Sequence, residues 1–566
     1  MRSKFFCLLI AAVALLLPGK SPASDLAGNS NKGSGKEKIK VETSYKKLWK
    51  SVDSLADLGQ PRSALEVVTK IYKLAKEDKN DPQILKSLLY RLRLQSEFME
   101  NFEDQAIREI REELVTTRGA AVYVLHSVLA EVYQRYLQNN AWKIGSRTPT
   151  NTSLNDSLAT WDERTLRETI FNEYLLSLND REVTRKIPIT SYRAVLEVPP
   201  APEKKDKQDA ESAFTFRPTL YDFLAWRALD YFSSGRQQKS QAVPTFYIDN
   251  PAFFSNAGVF SSLLKGPLPT LTVQNCKSDS LLSDYFTFRI YQQLTAFHLT
   301  DKDPAALIAL DLSRLEYMKA HARFLNTDSL YRNALSRLAE DYKDSPWSTR
   351  ALYQLAQWLN DQGHLYRPLE SEAHRREIRE AASLCEKAIR VFPGSYGARQ
   401  CKQLLTSIRD PYLEISAESA VIPEKPFPAL IKFKNLEKVY FRFVKTDPEK
   451  YSEKSSSTER KEFYNYLAGL SVTHAFTVDL PLQSDFQQHS TEFANPALAP
   501  GFYVLFCSAD KNFHDPDKAY AIVPVWSTRI SFVNKKNEQG GMDYFLLDRS
   551  TGLPLSQARA EVWSKS

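Results

Sequence analysis

Two stripes of apolar residues in the segment 381–408 have the spacing of amphipathic helices. The stripes consist of Cys385, Ala388, Ile389 and Phe392, followed by Cys401, Leu404, Leu405 and Ile408. Pro393 and Gly394 separate them, because proline cannot continue a helix and glycine favours a turn. The pattern predicts a helical hairpin. Its apolar faces are too large to be buried against each other alone, so the hairpin must stack on neighbouring helices.

The same helical spacing runs through most of the chain before this hairpin. Residues 334–345 align with residues 384–395 at an offset of 50 residues, and both segments end one helix on an aromatic residue and begin another. Without the polar insertion at 364–376, the repeat approaches the roughly 34 residues of a tetratricopeptide (TPR) unit. The pattern therefore predicts stacked helix–turn–helix units of a TPR-like kind.

Two segments of the helical region depart from a simple repeat. Thr219 is placed to cap a helix that carries Trp226, Tyr231 and Phe232, and aromatic residues at such spacing are typical of a core. The segment 241–272 is rich in Pro, Gly, Asn and Phe and has little periodicity. We predict that it forms an irregular excursion packed on the helices.

The period of the pattern changes to two at Pro411, which indicates strands. Short strands with Pro- and Gly-rich turns predict an antiparallel β-sandwich at 411–526. A further strand set begins near Thr528, and the turn at 548–554 has the chemistry of a β-hairpin. Two or three strands cannot enclose a core. We therefore predict that 527–566 begins a second, incomplete sandwich and that the sequence is the N-terminal piece of a longer product.

The N-terminus has the layout of a secretory leader. Arg2 and Lys4 precede an apolar run at 5–17, so residues 1–23 are predicted to be a signal peptide. The Gly-, Ser-, Asn- and Lys-rich segment 24–42 is predicted to be a flexible linker. No later segment has the apolar length of a membrane span. We expect an exported protein, periplasmic or at the cell surface, without a membrane span after cleavage.

The predicted fold class is multidomain, α then β. Its parts are a signal peptide at 1–23, a linker at 24–42, a TPR-like helical-repeat domain at 43–410 with an irregular insertion at 241–272, a β-sandwich at 411–526 and the start of a second at 527–566. Four cysteines lie outside the leader, of which Cys385 and Cys401 occupy facing helices of the predicted hairpin. Export permits a disulfide between them, and two buried free thiols are the alternative.

Charge and motifs exclude several classes of function. The net charge of +7 falls to about +4 without Arg2, Lys4 and Lys20 of the leader, which is weak for a nucleic-acid-binding protein. The sequence contains no Gly-rich phosphate loop, zinc-protease motif or nucleophile elbow. His364 and His374 flank the polar insertion but have no evident metal-binding partners. We predict no catalytic residues, no metal ligands and no cofactor, and hence no enzyme.

Several motifs resemble those of one protein family. The segment 498–505, LAPGFYVL, resembles a strand of macroglobulin-like sandwich domains, and 545–562, FLLDRSTGLPLSQARAEV, resembles a strand–turn–strand of the same domains. They follow a leader and a helical region that contains RPTLYD at 217–222 and FPGSYGARQ at 392–400. In this order, the parts resemble the N-terminal portion of a bacterial, Bacteroidota-type α2-macroglobulin family protein.

The resemblance implies a protease-trap system, in which a bait segment is cut and a thioester in a Cys-x-Glu-Gln motif captures the protease. The motif is absent at all four cysteines outside the leader, which are Cys276, Cys385, Cys401 and Cys507. The resemblance therefore implies a non-catalytic region that scaffolds an endopeptidase inhibitor or docks a partner on its helical domain, with proteases met through the parent protein. Alternatives are an exported helical-repeat adaptor for cell-envelope or glycan-uptake machinery, and an enzyme with its site in 241–272.

Overall fold

The structure is a computed structural model, and its chain forms two compact units that divide between Ala351 and Leu352. The predicted signal peptide lies outside the described residues. So do the first part of the predicted linker and the end of the predicted second sandwich. The structure describes residues 35–99, 102–145, 158–196, 214–234, 246–265, 279–481 and 484–558.

The first unit is helical in the residues described. Its helices are α1 (Gly35–Asp57), α2 (Pro61–Glu77), α3 (Asp81–Ser96), α4 (Phe102–Thr116), α5 (Ala121–Asn139), α6 (Glu163–Leu176), α7 (Leu220–Ser234), α8 (Asp279–His298), α9 (Ala305–His321) and α10 (Thr327–Asp341). Shorter helical turns occur at Leu158–Thr160, Ala141–Ile144, Arg181–Thr184, Ile189–Tyr192, Pro251–Phe254 and Ala257–Phe260. Most helices pack against the next one along the chain, as expected of helical-repeat stacking. The linker prediction was wrong in part, because α1 already begins at Gly35.

The N-terminus of α7 has the predicted cap. The Thr219 hydroxyl accepts a hydrogen bond from the Asp222 backbone N–H at 3.2 Å, and Asp222 Oδ2 accepts one from the Thr219 backbone N–H at 2.9 Å. This reciprocal pair satisfies two backbone donors that a helix start leaves without partners. The RPTLYD motif therefore fixes where α7 begins.

The described part of the irregular segment, 246–265, packs on α9 as predicted. Arg314 of α9 is fully buried and donates to the backbone carbonyls of Phe253 at 2.6 Å and Ser255 at 2.9 Å. Its third partner is the Asp311 carboxylate, at 2.7 Å. One guanidinium thus replaces the regular backbone pairing that this segment lacks.

The second unit begins with helices. The unit boundary falls inside α11 (Ser348–Gly363), which is followed by α12 (Glu377–Val391) and α13 (Tyr396–Arg409). The predicted hairpin at 381–408 is confirmed by α12 and α13, which pack together through buried side chains. Cys385, Ala388, Cys401 and Ile408 belong to this core. The hairpin thus lies in the same compact unit as the strands that follow.

A polar contact joins the helical part of this unit to its strands. Gln487 is buried, and its Nε2 donates to the backbone carbonyl of Gly363 at 3.0 Å and to that of His374 at 3.2 Å. Nearby, Arg375 contacts the Asp485 carboxylate at 3.2 Å. The insertion at 364–376 is therefore held against the loop that precedes β6 (His489–Asn495).

The change from helices to strands is confirmed at Pro411. The remaining strands are β1 (Tyr412–Ala417), β2 (Ala420–Val421), β3 (Phe427–Lys434), β4 (Lys438–Lys445), β5 (Val472–Asp479), β7 (Gly501–Ser508), β8 (Tyr520–Ser527), β9 (Ile530–Lys536) and β10 (Met542–Asp548). One sheet has the order β1-β3-β6 and the other β2-β8-β7-β4-β5. Side chains of both sheets, including Ile431, Phe441 and Leu505, form one buried core, so the two sheets make a sandwich.

Two helices between β4 and β5 were missed by the sequence analysis. They are α14 (Pro448–Ser457) and α15 (Arg460–Ala468). Tyr464 and Leu467 of α15 pack on Val504 and Phe506 of β7, which face away from the inter-sheet core. The central strand β7 is therefore covered on both faces, which explains its nearly continuous apolar run.

We expect Gly363→Ala to destabilise the second unit by about 1–3 kcal/mol, because an added methyl must displace its neighbours. A Cβ at this position would lie 2.3 Å from Ile378 Cγ1 and 3.0 Å from the Ile378 backbone nitrogen. Gly394→Ala is the matched control, since no atom lies within 4 Å of its Cβ position. Calorimetric unfolding of both variants makes the comparison. Equal stability of the two variants would contradict the close packing at Gly363.

Candidate functional site

The first unit contains a histidine between two aspartates, a combination of side chains that is common in acid–base catalysis. His298 Nε2 lies 2.7 Å from Asp222 Oδ1, and His298 Nδ1 lies 2.7 Å from Asp301 Oδ2. His298 and Asp222 are almost completely buried. Because Asp222 is also the capping residue of α7, this cluster connects the start of α7 to the end of α8.

The protonation of His298 follows from its surroundings. Burial disfavours the charged imidazole, but the hydrogen bonds and charges of Asp222 and Asp301 outweigh burial and raise the pKa of His298 above its usual 6.5. Both ring nitrogens are engaged by carboxylates. A general base needs a nitrogen that can reach a substrate proton. The geometry is therefore that of a structural clamp, which we call the His298 clamp.

A second buried polar cluster joins α2 to α4. Glu113 accepts hydrogen bonds from Tyr72, Lys76 and, at 2.7 Å, Thr117. Burial acts to raise the pKa of the Glu113 carboxyl, but these bonds outweigh it and hold the pKa below its usual value. The charge is fully satisfied by its own chain, which again indicates a structural role.

The predicted cysteine pair lies together in the hairpin core. Cys385 and Cys401 are both buried, and both are free thiols in the structure. The neighbouring Cys385 thiol and burial raise the pKa of the Cys401 thiol. The structure thus contains two buried free thiols, which were the alternative to a disulfide. The disulfide stays a prediction. Neither thiol is exposed as a reactive cysteine is.

Two clefts of moderate size lie within the first unit. One, of about 270 Å³, is bordered by Asn256 of the irregular segment and by Asp311 and Arg314 of α9. Asp311 and Arg314 are occupied by each other and by the backbone, so they are not free to act on a substrate. The other, of about 260 Å³, lies between α5, α6 and α7 and contains the buried Arg227.

In the part of the chain that the structure describes, no three His, Cys, Asp or Glu side chains are grouped to hold a metal ion. His364 bonds through Nδ1 to the Asn360 carbonyl at 2.6 Å, and His374 lies 3.4 Å from Glu377. Among the described helices, none is long and apolar enough to cross a membrane.

The β9–β10 ribbon exposes several large apolar side chains. The register pairs Phe532 with Leu546 and Val533 with Phe545, so the two pairs lie on opposite faces. Phe532 is 62% exposed, Phe545 52% and Val533 53%. Within the described residues, β9 and β10 pair only with each other as named strands. A two-stranded ribbon with apolar side chains on both faces is typical of a sheet interior that lacks its neighbours.

Comparison with known proteins gave no match to a protein-family model and no match to a curated protein sequence. The fold is therefore established by the structure alone, as helices followed by a β-sandwich. Sequence reasoning anticipated the division at Pro411 and the cap at Thr219. It missed the His298 clamp because His298 and Asp222 are 76 residues apart in the chain, and no local pattern joins them.

Proposed function

We propose that this chain is the non-catalytic N-terminal region of an α2-macroglobulin family protein, and that it scaffolds an endopeptidase inhibitor or docks a partner for it. The order of parts supports the proposal, since a helical-repeat region precedes a sandwich of three- and five-stranded sheets. Export of the chain to the periplasm or cell surface belongs to the same proposal.

The observation that carries the proposal is the β9–β10 ribbon directly after the sandwich. Such a ribbon gains a buried core only when further strands, a helix or a partner cover its faces. Macroglobulin-like proteins are chains of successive sandwich domains, so the next domain would supply those strands. The segment 545–562, which resembles these domains, includes the end of β10 and the turn that follows it.

The internal chemistry is consistent with a scaffold. The buried polar side chains described above, His298, Glu113 and Arg314, are each bonded to groups of their own unit. Internally satisfied clusters of this kind specify one packing of the helices, which suits a scaffold.

The coding sequence after codon 566 tests the proposal against the adaptor alternative. An open frame that encodes more sandwich strands and a Cys-x-Glu-Gln motif supports the α2-macroglobulin proposal. A stop codon at that point favours the exported adaptor, in which the ribbon would be covered by a partner protein.

A further inference from the structure

The cleft between α5, α6 and α7 has features that its role in packing does not require. We call it the Arg227 cleft. Its volume is about 260 Å³, and three helices contribute to its lining. The lining includes Glu131, Gln134 and Gln138 of α5, Tyr174 of α6, and Arg227 and Asp230 of α7. The three α5 residues share one helix face, because their spacing is i, i+3 and i+7.

The floor of the cleft is a buried arginine with a spare donor. Arg227 donates through Nη2 to Glu131 Oε2 at 2.7 Å and through Nε to the Ser127 hydroxyl at 2.7 Å. Burial acts to lower the pKa of Arg227, but Glu131 outweighs it, so the guanidinium stays charged. Within the described residues, Arg227 Nη1 makes no hydrogen bond. A buried guanidinium therefore has an N–H group left for a ligand.

The mouth of the cleft supplies an acceptor. Asp230 is exposed, and within the residues described its carboxylate makes no hydrogen bond or ion pair. Burial raises the pKa of its carboxyl, partly offset by the charges of Arg217 and Arg227. A carboxylate offers two oxygens with several acceptor positions. Asp230 follows Arg227 by three residues on α7, so the carboxylate and the guanidinium lie on the same face of this helix.

Amide and aromatic groups complete the lining. The Tyr174 hydroxyl donates to Gln134 Oε1 at 3.2 Å, which leaves the Gln134 Nε2 group as a donor. Gln138 adds a second amide one turn further along α5. The Tyr174 ring stacks on Tyr231 at 4.8 Å between centroids, so the wall is an aromatic pair. An aromatic face attracts the weakly positive C–H groups of an aliphatic ring.

The balance of charge selects the ligand. Two arginines, Arg135 and Arg227, and two carboxylates, Glu131 and Asp230, line the cleft, so neither an anion nor a cation finds a net opposite charge. A neutral ligand with adjacent hydroxyls can donate to Asp230 and accept from Arg227 at once. The volume lies just below the usual range of about 300–1,000 Å³ for small-molecule sites. We infer that the Arg227 cleft binds a single neutral sugar ring.

This inference goes beyond the proposed function and does not depend on it. Saturation-transfer NMR with glucose, galactose, mannose and N-acetylglucosamine tests it directly, and calorimetric titration then measures the affinity of each sugar that responds. At least one sugar is expected to bind the wild-type chain. Asp230→Asn should weaken that binding about tenfold, because an amide offers one acceptor oxygen in place of two. Gln138→Ala should weaken it by a smaller factor.

Glu66→Gln is the matched control, since Glu66 is an exposed carboxylate of α2 outside the cleft. It should bind the sugar as the wild type does, and circular dichroism should show the same helix content in all variants. The inference is overturned if none of the four sugars binds, or if Asp230→Asn binds the responding sugar unchanged. It is also overturned if glycine or acetate, used as charged probes, binds more tightly than every sugar.

Discussion

Asp222→Ala is expected to destabilise the helical unit by about 3–5 kcal/mol, the range for breaking a buried charge pair. The substitution removes the Asp222 carboxylate from a His298 that is only 2% exposed. It also removes the reciprocal cap at Thr219, which by itself contributes about 1 kcal/mol. Urea unfolding followed by the helical circular dichroism signal measures the loss.

Two further variants separate the contributions of the cap and the charge. Asp222→Asn keeps an oxygen that can cap α7 but loses the charge, so its effect should lie between the wild type and Asp222→Ala. Asp57→Ala removes an exposed carboxylate at the end of α1 and should change the stability by less than about 0.5 kcal/mol. If Asp222→Ala is no worse than Asp57→Ala, the His298 clamp does not hold the unit together.

The His298 clamp also predicts a pH dependence. The pKa of His298 in the folded chain is raised above 6.5. Its stabilising contribution is therefore fully present below about pH 6.5, the unfolded pKa, and is lost as the pH rises through the folded pKa. The difference in unfolding free energy between the wild type and His298→Gln should thus be larger near pH 6 than at alkaline pH. A difference that grows with pH would contradict this assignment.

Arg314→Met is the second substitution with a large expected effect. It leaves the Asp311 carboxylate, only 3% exposed, without its guanidinium partner. The backbone carbonyls of Phe253 and Ser255 lose their donor as well. We expect a loss of about 3–5 kcal/mol and release of the irregular segment from α9.

Amide hydrogen exchange locates this effect. The amides of Ser255 and Phe260, which are bonded within the irregular segment, should lose protection in Arg314→Met before the helices do. Arg337→Met is the graded control, because Arg337 is exposed and, within the described part of the chain, donates only to the Phe254 carbonyl, at 2.6 Å. Arg337→Met should lower the free energy of unfolding by about 1 kcal/mol. Unchanged exchange in Arg314→Met would show that the segment is held by other contacts.

Local patterns predicted the elements well where one periodicity ran without interruption. The hairpin at 381–408 and the change at Pro411 are examples, because a helical or alternating stripe is a property of neighbouring residues. The same reasoning missed α14 and α15, which are polar and carry few buried side chains. Such helices lack a clear apolar stripe, so they can be recognised only when the sheet face against which they pack is known.

The candidate sites depend on pairs that are distant in sequence. Arg227 meets Ser127 and Glu131 about 100 residues away, and Arg314 meets Phe253 across 61 residues. A single sequence contains no sign of such pairs, since an arginine on a helix is more often solvated than buried. The composition excluded a strongly basic surface, but it could not place the Arg227 cleft.

The most direct test of the account is an inhibition assay on the native product that contains this chain. The product is purified with antibodies raised against residues 43–526 and incubated with endopeptidases of several specificities. We predict that one of them cleaves the product and then digests a large protein substrate more slowly, while it cleaves a short peptide at the usual rate. Digestion of the large substrate at an unchanged rate by every endopeptidase would contradict the account.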